Sequence, residues 1–177
     1  MIESHWARIA GVHMEDNGTV GAIWLAHDTV TGVAHLYDAA LFRTEVPVVI
    51  EDGISARGRQ FPVAWAEKDK EFADALLNGG VNMLPDGCKD NQAMAELISR
   101  RVWQMLRGSR FRVDKRVGQW LREYKDFFRD EAAIPLKGFP LMAATRHAIE
   151  MIDWAVPESR YMSASASKQN APKLAII

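Results

Sequence analysis

The chain has 177 residues, with 22 Lys and Arg against 23 Asp and Glu, for a formal charge of −1. At 48% hydrophobic and 25% charged it has an ordinary globular composition, which excludes a long disordered chain, a coiled coil and a collagen-like repeat. The single cysteine, Cys88, excludes an internal disulfide framework and a Cys-rich zinc site, and it fits a reducing cytoplasm.

The elements follow in chain order. Ala7 to Met14 is a short apolar stretch closed by the polar Glu15-Asp16-Asn17-Gly18, which predicts a strand and a turn. Val20 to Asp28 is apolar on both alternating faces, as a central strand buried on two sides would be. After the tight turn Thr29-Val30-Thr31-Gly32, Val33 to Phe42 is a third strand, so the first part of the chain is an antiparallel meander. Pro47 opens a helix to about Ala56, and Phe61 to Ala66 is a short strand. Lys68 to Leu77 is a helix with Phe72, Ala73, Leu76 and Leu77 on one face, stopped by Gly79-Gly80, and Val81 to Leu84 is another short strand. Asp90 or Asn91 caps a helix with the apolar stripe Met94, Leu97, Ile98, Val102 and Met105. Phe111 to Val113 is extended. Two helices complete the set, Val117 to Phe128, with Val117, Trp120, Leu121, Tyr124 and Phe128 inward, and Leu141 to about Ala155. After Pro157 a polar, low-complexity tail ends on the apolar Leu174-Ala175-Ile176-Ile177.

This order, a three-strand meander extended by parallel strands with helices on both faces, is that of the ribonuclease H-like α/β fold. The expected division is one domain over residues 1–157 and a flexible tail over 158–177. No apolar run approaches the roughly 20 residues of a membrane helix. The start lacks the basic and apolar regions of a signal peptide and enters a strand almost at once, as if continuing a longer chain.

The near-zero charge conceals two opposed regions. Nine basic residues and two acids lie between Arg100 and Lys125, leaving 13 basic and 21 acidic groups elsewhere. Two local acids cannot neutralise nine bases. Arg100, Arg107, Arg110, Arg112, Lys115 and Arg116 are therefore candidate phosphate contacts on double-stranded DNA, with no base specificity required.

Several strings sharpen the picture: His5 to Gly11 (HWARIAG), Ala22 to Asp28 (AIWLAHD), Pro62-Val63-Ala64-Trp65, Asn82-Met83-Leu84-Pro85, and Leu141 to Ala148 (LMAATRHA). Together they resemble, in order from about His5 to Trp154, the carboxy-terminal nuclease domain of the tailed-bacteriophage terminase large subunit. The resemblance implies cutting of concatemeric DNA during genome packaging, with two Mg²⁺ or Mn²⁺ ions held by acids from three elements. It also implies partners in the portal and the small terminase subunit, a location in the host bacterial cytoplasm, and a packaging ATPase that this chain lacks. The sequence agrees on the last point, since it holds no Walker A loop.

At the three places where the family supplies an acid, this chain has His13 after Gly11-Val12, Lys68 after the Pro-Val-Ala-Trp string, and Pro140 before the last helix. Two readings follow. In one, neighbours substitute: Glu15 shares the strand face of His13, Asp69 follows Lys68, and His13, Glu15 and Asp69 hold one ion, with Glu15 and Asp69 as its acidic ligands. In the other, the domain is a non-catalytic DNA-binding or portal-docking module, as a prophage remnant would be, with Lys173 to Ile177 as a docking motif. His27, His35 and His147 have no partner at metal-ligand spacing and read as structural or surface residues. Cys88 has no nucleophile signature, and no G-x-S-x-G elbow occurs.

Overall fold

The structure is a computed structural model, and it describes residues 2–44, 46–127 and 133–158. The meander forms as expected: β1 (Ala7–Met14), β2 (Thr19–Asp28) and β3 (Val33–Arg43) pair antiparallel in sequence order. Gly18 and Gly32 take left-handed conformations at the two turns, with φ of 77° and 70°. In the second turn, Asp28 Oδ1 accepts from the Val30 amide, and the Asp28 carboxylate also accepts from the Thr31 hydroxyl. β2 is the central strand anticipated from its two apolar faces: Val20 to Ala26 are all buried.

The parallel part of the sheet is shorter than expected. Only Val63–Ala64 (β4) makes a ladder, parallel to Ala10 and Gly11 of β1. The stretch expected as a strand at Val81 to Leu84 contributes a single parallel bridge, Met83 to Val63. β5 (Phe111–Val113) pairs parallel to β3, and Val156–Pro157 (β6), not anticipated from the sequence, pairs with the start of β1. The sheet order is β4-β1-β2-β3-β5.

Helices cover both faces. Alternation along β2 sends Trp24 to one face, where the Arg57 guanidinium lies 4.7 Å above its ring beside α1 (Pro47–Ser55). Gly21 faces the other way, against α5 (Pro140–Glu150). α2 (Lys70–Asn78) packs beside α1, while α3 (Gln92–Arg107) and α4 (Gly118–Phe127) lie against α5. The stripes differ in detail from expectation. Leu77 and Leu97, placed on buried faces by period, are 53% and 59% exposed, since each helix buries a narrower face than its apolar count suggests. Phe128 and the tail from residue 159 onward, including the docking motif, lie outside the described residues.

α5 is enclosed by the sheet, α3 and α4. Every residue from Pro140 to Ile149 is buried, including Thr145, Arg146 and His147. Its composition favours a helix, and Pro140 at its first turn has no amide to leave unpaired. Gly11 and Gly21 let it lie directly on the strands. A Cβ on Gly11 would stand 2.1 Å from the Ala144 carbonyl oxygen, and one on Gly21 2.5 Å from Pro140.

Candidate functional site

The three positions that the resemblance singled out converge. His13 projects from β1 towards α5, Pro140 packs on Gly21, and Gly21 pairs with His13 across β1 and β2. Lys68 lies in the 3-10 turn (Glu67–Asp69) that follows β4 on the other side of β1.

Two further residues complete the centre. Gly87 to Asp90 form a strap held on the β4 segment by Cys88 N–H to the Trp65 carbonyl (2.7 Å) and Glu67 N–H to the Cys88 carbonyl (2.8 Å). The next residue, Asn91, caps α3 by accepting from the Met94 amide. Of the two residues able to cap, Asn91 does so, which leaves Asp90 free to turn inward. Its carboxylate meets His13 Nδ1 at 3.8 Å, Lys68 Nζ at 3.3 Å and Arg146 at 3.5 Å. His147 follows Arg146 on α5, and its Nε2 lies 3.2 Å from His13 Nδ1. One ligand atom from each of His13, Asp90 and His147 falls within 4.8 Å of the other two. His147 is thus neither a surface residue nor a lone one.

Burial sets the electrostatics. It lowers the His13 imidazole to about 4, against the attraction of Asp90, and it drives His147 well below its ordinary value. Both rings are therefore neutral at pH 7. Burial works to raise the Asp90 carboxyl, but the surrounding imidazoles, Arg146 and Lys68 hold it below the usual carboxylate range. Asp69 is pushed up by burial; the Met14 amide donates to it, and its Oδ2 is buried without a hydrogen-bond partner.

Glu15 shares the face of His13, as its spacing predicts. Its Oε1 accepts from Gly138 N–H at 3.1 Å and stands 3.8 Å from His13 Nε2. That ring nitrogen is buried and has no hydrogen-bond partner. Beside it the first free amides of α5, Leu141 and Met142, donate to the Glu123 carboxylate of α4 at 2.9 and 3.3 Å. Burial raises Glu123 to about 7. Cys88 is buried with its thiol pushed up by desolvation, and the Sγ lies 3.6 Å from the His147 carbonyl. That leaves it unsuited to nucleophilic chemistry.

These donors do not match an all-carboxylate pair of Mg²⁺ sites. An imidazole stands on the first strand, an ammonium beside Asp90, and a proline at the helix start. Hard ions prefer oxygen, whereas two neutral imidazoles with a carboxylate suit a first-row transition ion.

The basic stretch lies elsewhere. α3 begins beside Asp90 and runs for 16 residues, about 24 Å. Arg107, Arg110 and Arg112 gather at its far end, where β5 pairs with the opening residues of β3. Among the described residues, Arg100, Arg107, Arg110, Arg112 and Lys115 are exposed and make no ion pair, while Arg116 is held by Asp114 at 2.7 Å. Arg107 stacks on Trp103 at 4.7 Å. The surface is positive, as the local count implied, but it does not converge with the centre.

No family model and no curated protein matches this chain. Among solved structures it is similar to the P22 large terminase nuclease domain, at 18% identity and a TM-score of 0.80, over 90% of this chain and 88% of that one. The large terminase nuclease domain of bacteriophage SPP1, solved with bound Mn, gives 14% and 0.67, over 84% and 88%. The human cytomegalovirus terminase nuclease domain, soaked with Mn, gives 12% and 0.52, over 82% and 86%. The likeness is one of fold: the chain has the ribonuclease H-like fold of terminase nuclease domains.

Proposed function

We propose that the chain is a terminase nuclease-type domain that acts on double-stranded DNA in viral genome packaging and cuts it with the help of a divalent ion. One observation carries this reading. In a fold shared with terminase nuclease domains, the residues the sequence singled out converge with Asp90 and His147 at one end of the sheet. The Mn bound or soaked into two of those structures supports divalent-ion dependence.

A bound ion supplies an activated water and stabilises the leaving oxygen of the phosphodiester. The chain's own residues hold and orient. His13, Glu15 and Asp69 border the reacting position, with Glu15 placed to support the His13 ring through Nε2 and Asp69 in the turn that follows β4. Lys68, with its side chain 43% exposed, is placed to reach a phosphate oxygen. Arg100, Arg107, Arg110, Arg112, Lys115 and Arg116 grip the backbone remotely. Since α3 separates Asp90 from Arg110, a duplex touching both ends extends over about seven base pairs.

The same reading makes residues 1–157 the domain, and a packaging ATPase, a portal and a small subunit its partners in an infected cell's cytoplasm. No helix among the described residues is long and apolar enough to cross a membrane. The test is nicking of supercoiled plasmid with Mn²⁺ and with Mg²⁺, each against EDTA. EDTA-sensitive nicking is expected. Salt-dependent binding with no nicking in either ion would overturn cutting and leave a DNA-binding module of the same fold.

A further inference from the structure

We propose that His13, Asp90 and His147 form a single-ion site for a first-row transition metal, one that discriminates against Mg²⁺. The assignment deepens the nuclease reading and takes its functional meaning from it, but the site itself stands on its donors.

Geometry is the first argument. An ion with bonds of about 2.0–2.2 Å to nitrogen and oxygen sets adjacent donors roughly 3.0–3.6 Å apart. His13 Nδ1 lies 3.2 Å from His147 Nε2 and 3.8 Å from Asp90 Oδ2. Both distances lie within or close to that range, and the three donor atoms all fall within 4.8 Å of one another.

The second argument is the unpaired nitrogen. One proton lies between His13 Nδ1 and His147 Nε2, and His13 Nε2 has no hydrogen-bond partner although the side chain is 1% exposed. A buried nitrogen in that condition is costly unless some state of the protein uses it. Coordination through His13 Nδ1 and His147 Nε2 requires each neutral ring to carry its proton on the other nitrogen, and on His13 that is Nε2, which faces Glu15 Oε1 3.8 Å away. A ligating histidine that donates its other N–H to a carboxylate is the usual supporting arrangement at protein metal sites. Glu15 is already fixed for that role by the Gly138 amide.

The third argument concerns charge. Asp90 is balanced by Lys68 and Arg146. Arg146 is locked in α5, with its side chain 5% exposed, whereas Lys68 can swing away. Lys68 is therefore an internal competitor, and an arriving cation takes its place on Asp90.

The test uses the full chain, stripped with EDTA and titrated with Co²⁺, followed by calorimetry and by visible absorption, which reports nitrogen coordination directly. One equivalent is expected, resistant to millimolar Mg²⁺ and displaced by Zn²⁺. His147→Gln should weaken binding about 100-fold or more. Because His147 is buried and that variant can fail to fold, Lys68→Gln is the decisive partner. Its site is exposed and its donors are intact, and it should bind Co²⁺ about tenfold more tightly. Absence of a Co²⁺ site, displacement by Mg²⁺, or binding unchanged in Lys68→Gln overturns the assignment. Plasmid cutting with Mg²⁺ but no Co²⁺ site would overturn it while leaving the nuclease reading intact. A Co²⁺ site without cutting in any ion would do the reverse.

Discussion

The two ends of α3 place charge under opposite conditions. At its start, Asp90, Arg146 and the two imidazoles are shut between sheet and helices, where each group's state depends on the others. At its far end, Arg107, Arg110 and Arg112 project into solvent and make no ion pair among the described residues. Buried charge is expensive unless paired, so substitutions at the first end should propagate. Exposed charge is screened and nearly additive, so the second end should lose DNA affinity in small separate steps.

The sharpest way to break this contrast is Asp90→Ala. It leaves Arg146 buried without its carboxylate and should cost about 3–5 kcal/mol, measured by urea unfolding. A loss no larger than that of a surface arginine would remove the distinction.

A pair of glycine substitutions comes next. Gly11→Ala drives a Cβ into the Ala144 carbonyl and should destabilise by about 3 kcal/mol. Gly118→Ala, at the exposed start of α4, meets nothing within 4 Å and should be neutral or stabilising by up to about 1 kcal/mol. Calorimetric melting of both variants decides it.

Glu123 gives a pH-dependent test. Its folded value of about 7 lies above the ordinary 4.5, so the folded chain binds this proton more tightly. The resulting stability is full below pH 4.5 and lost as pH rises through 7. Glu123→Gln should remove that slope, of about 3 kcal/mol across the window. His13 contributes with the opposite sign: its folded value is lowered, so stability falls as pH drops from 6.5 towards 4. The difference between wild type and Glu123→Gln isolates the carboxyl, and parallel pH profiles would refute its burial.

The smallest effects belong to the basic surface. Arg110→Ala and Arg112→Ala should each change stability by less than about 0.5 kcal/mol. Each should also lower the slope of log affinity against log salt by about 0.9 on duplex DNA, read by fluorescence anisotropy. Arg116→Ala should do less, since Asp114 already occupies its guanidinium.

The meander was legible because its signals are local: apolar alternation and the turns at Gly18 and Gly32. The parallel edge was legible only in outline, because Val63-Ala64 and Met83 pair with residues remote in the chain and so few of them pair. In the centre, His13, Glu15 and Asp69 stood at places a family pattern could mark. Asp90 and His147 carried no such mark. Asp90 looked like one of two possible caps, and His147 like an isolated ring. The available signal was a Thr145-Arg146-His147 run on a helix otherwise apolar up to its final Glu150, which points to an enclosed helix with polar groups inside.

Composition and pattern alone determined the fold class, the strand order of the meander and the separation of a basic stretch from an acidic remainder, since these depend on period, turn chemistry and counting along the chain. Only the tertiary structure decided that Arg107, Arg110 and Arg112 gather at the end of α3 away from the candidate centre, and that the centre joins His13 to His147, 134 positions apart. Charge totals carry no positions. It is the packing of α5 on Gly11 and Gly21 that brings those two rings within one ion's reach.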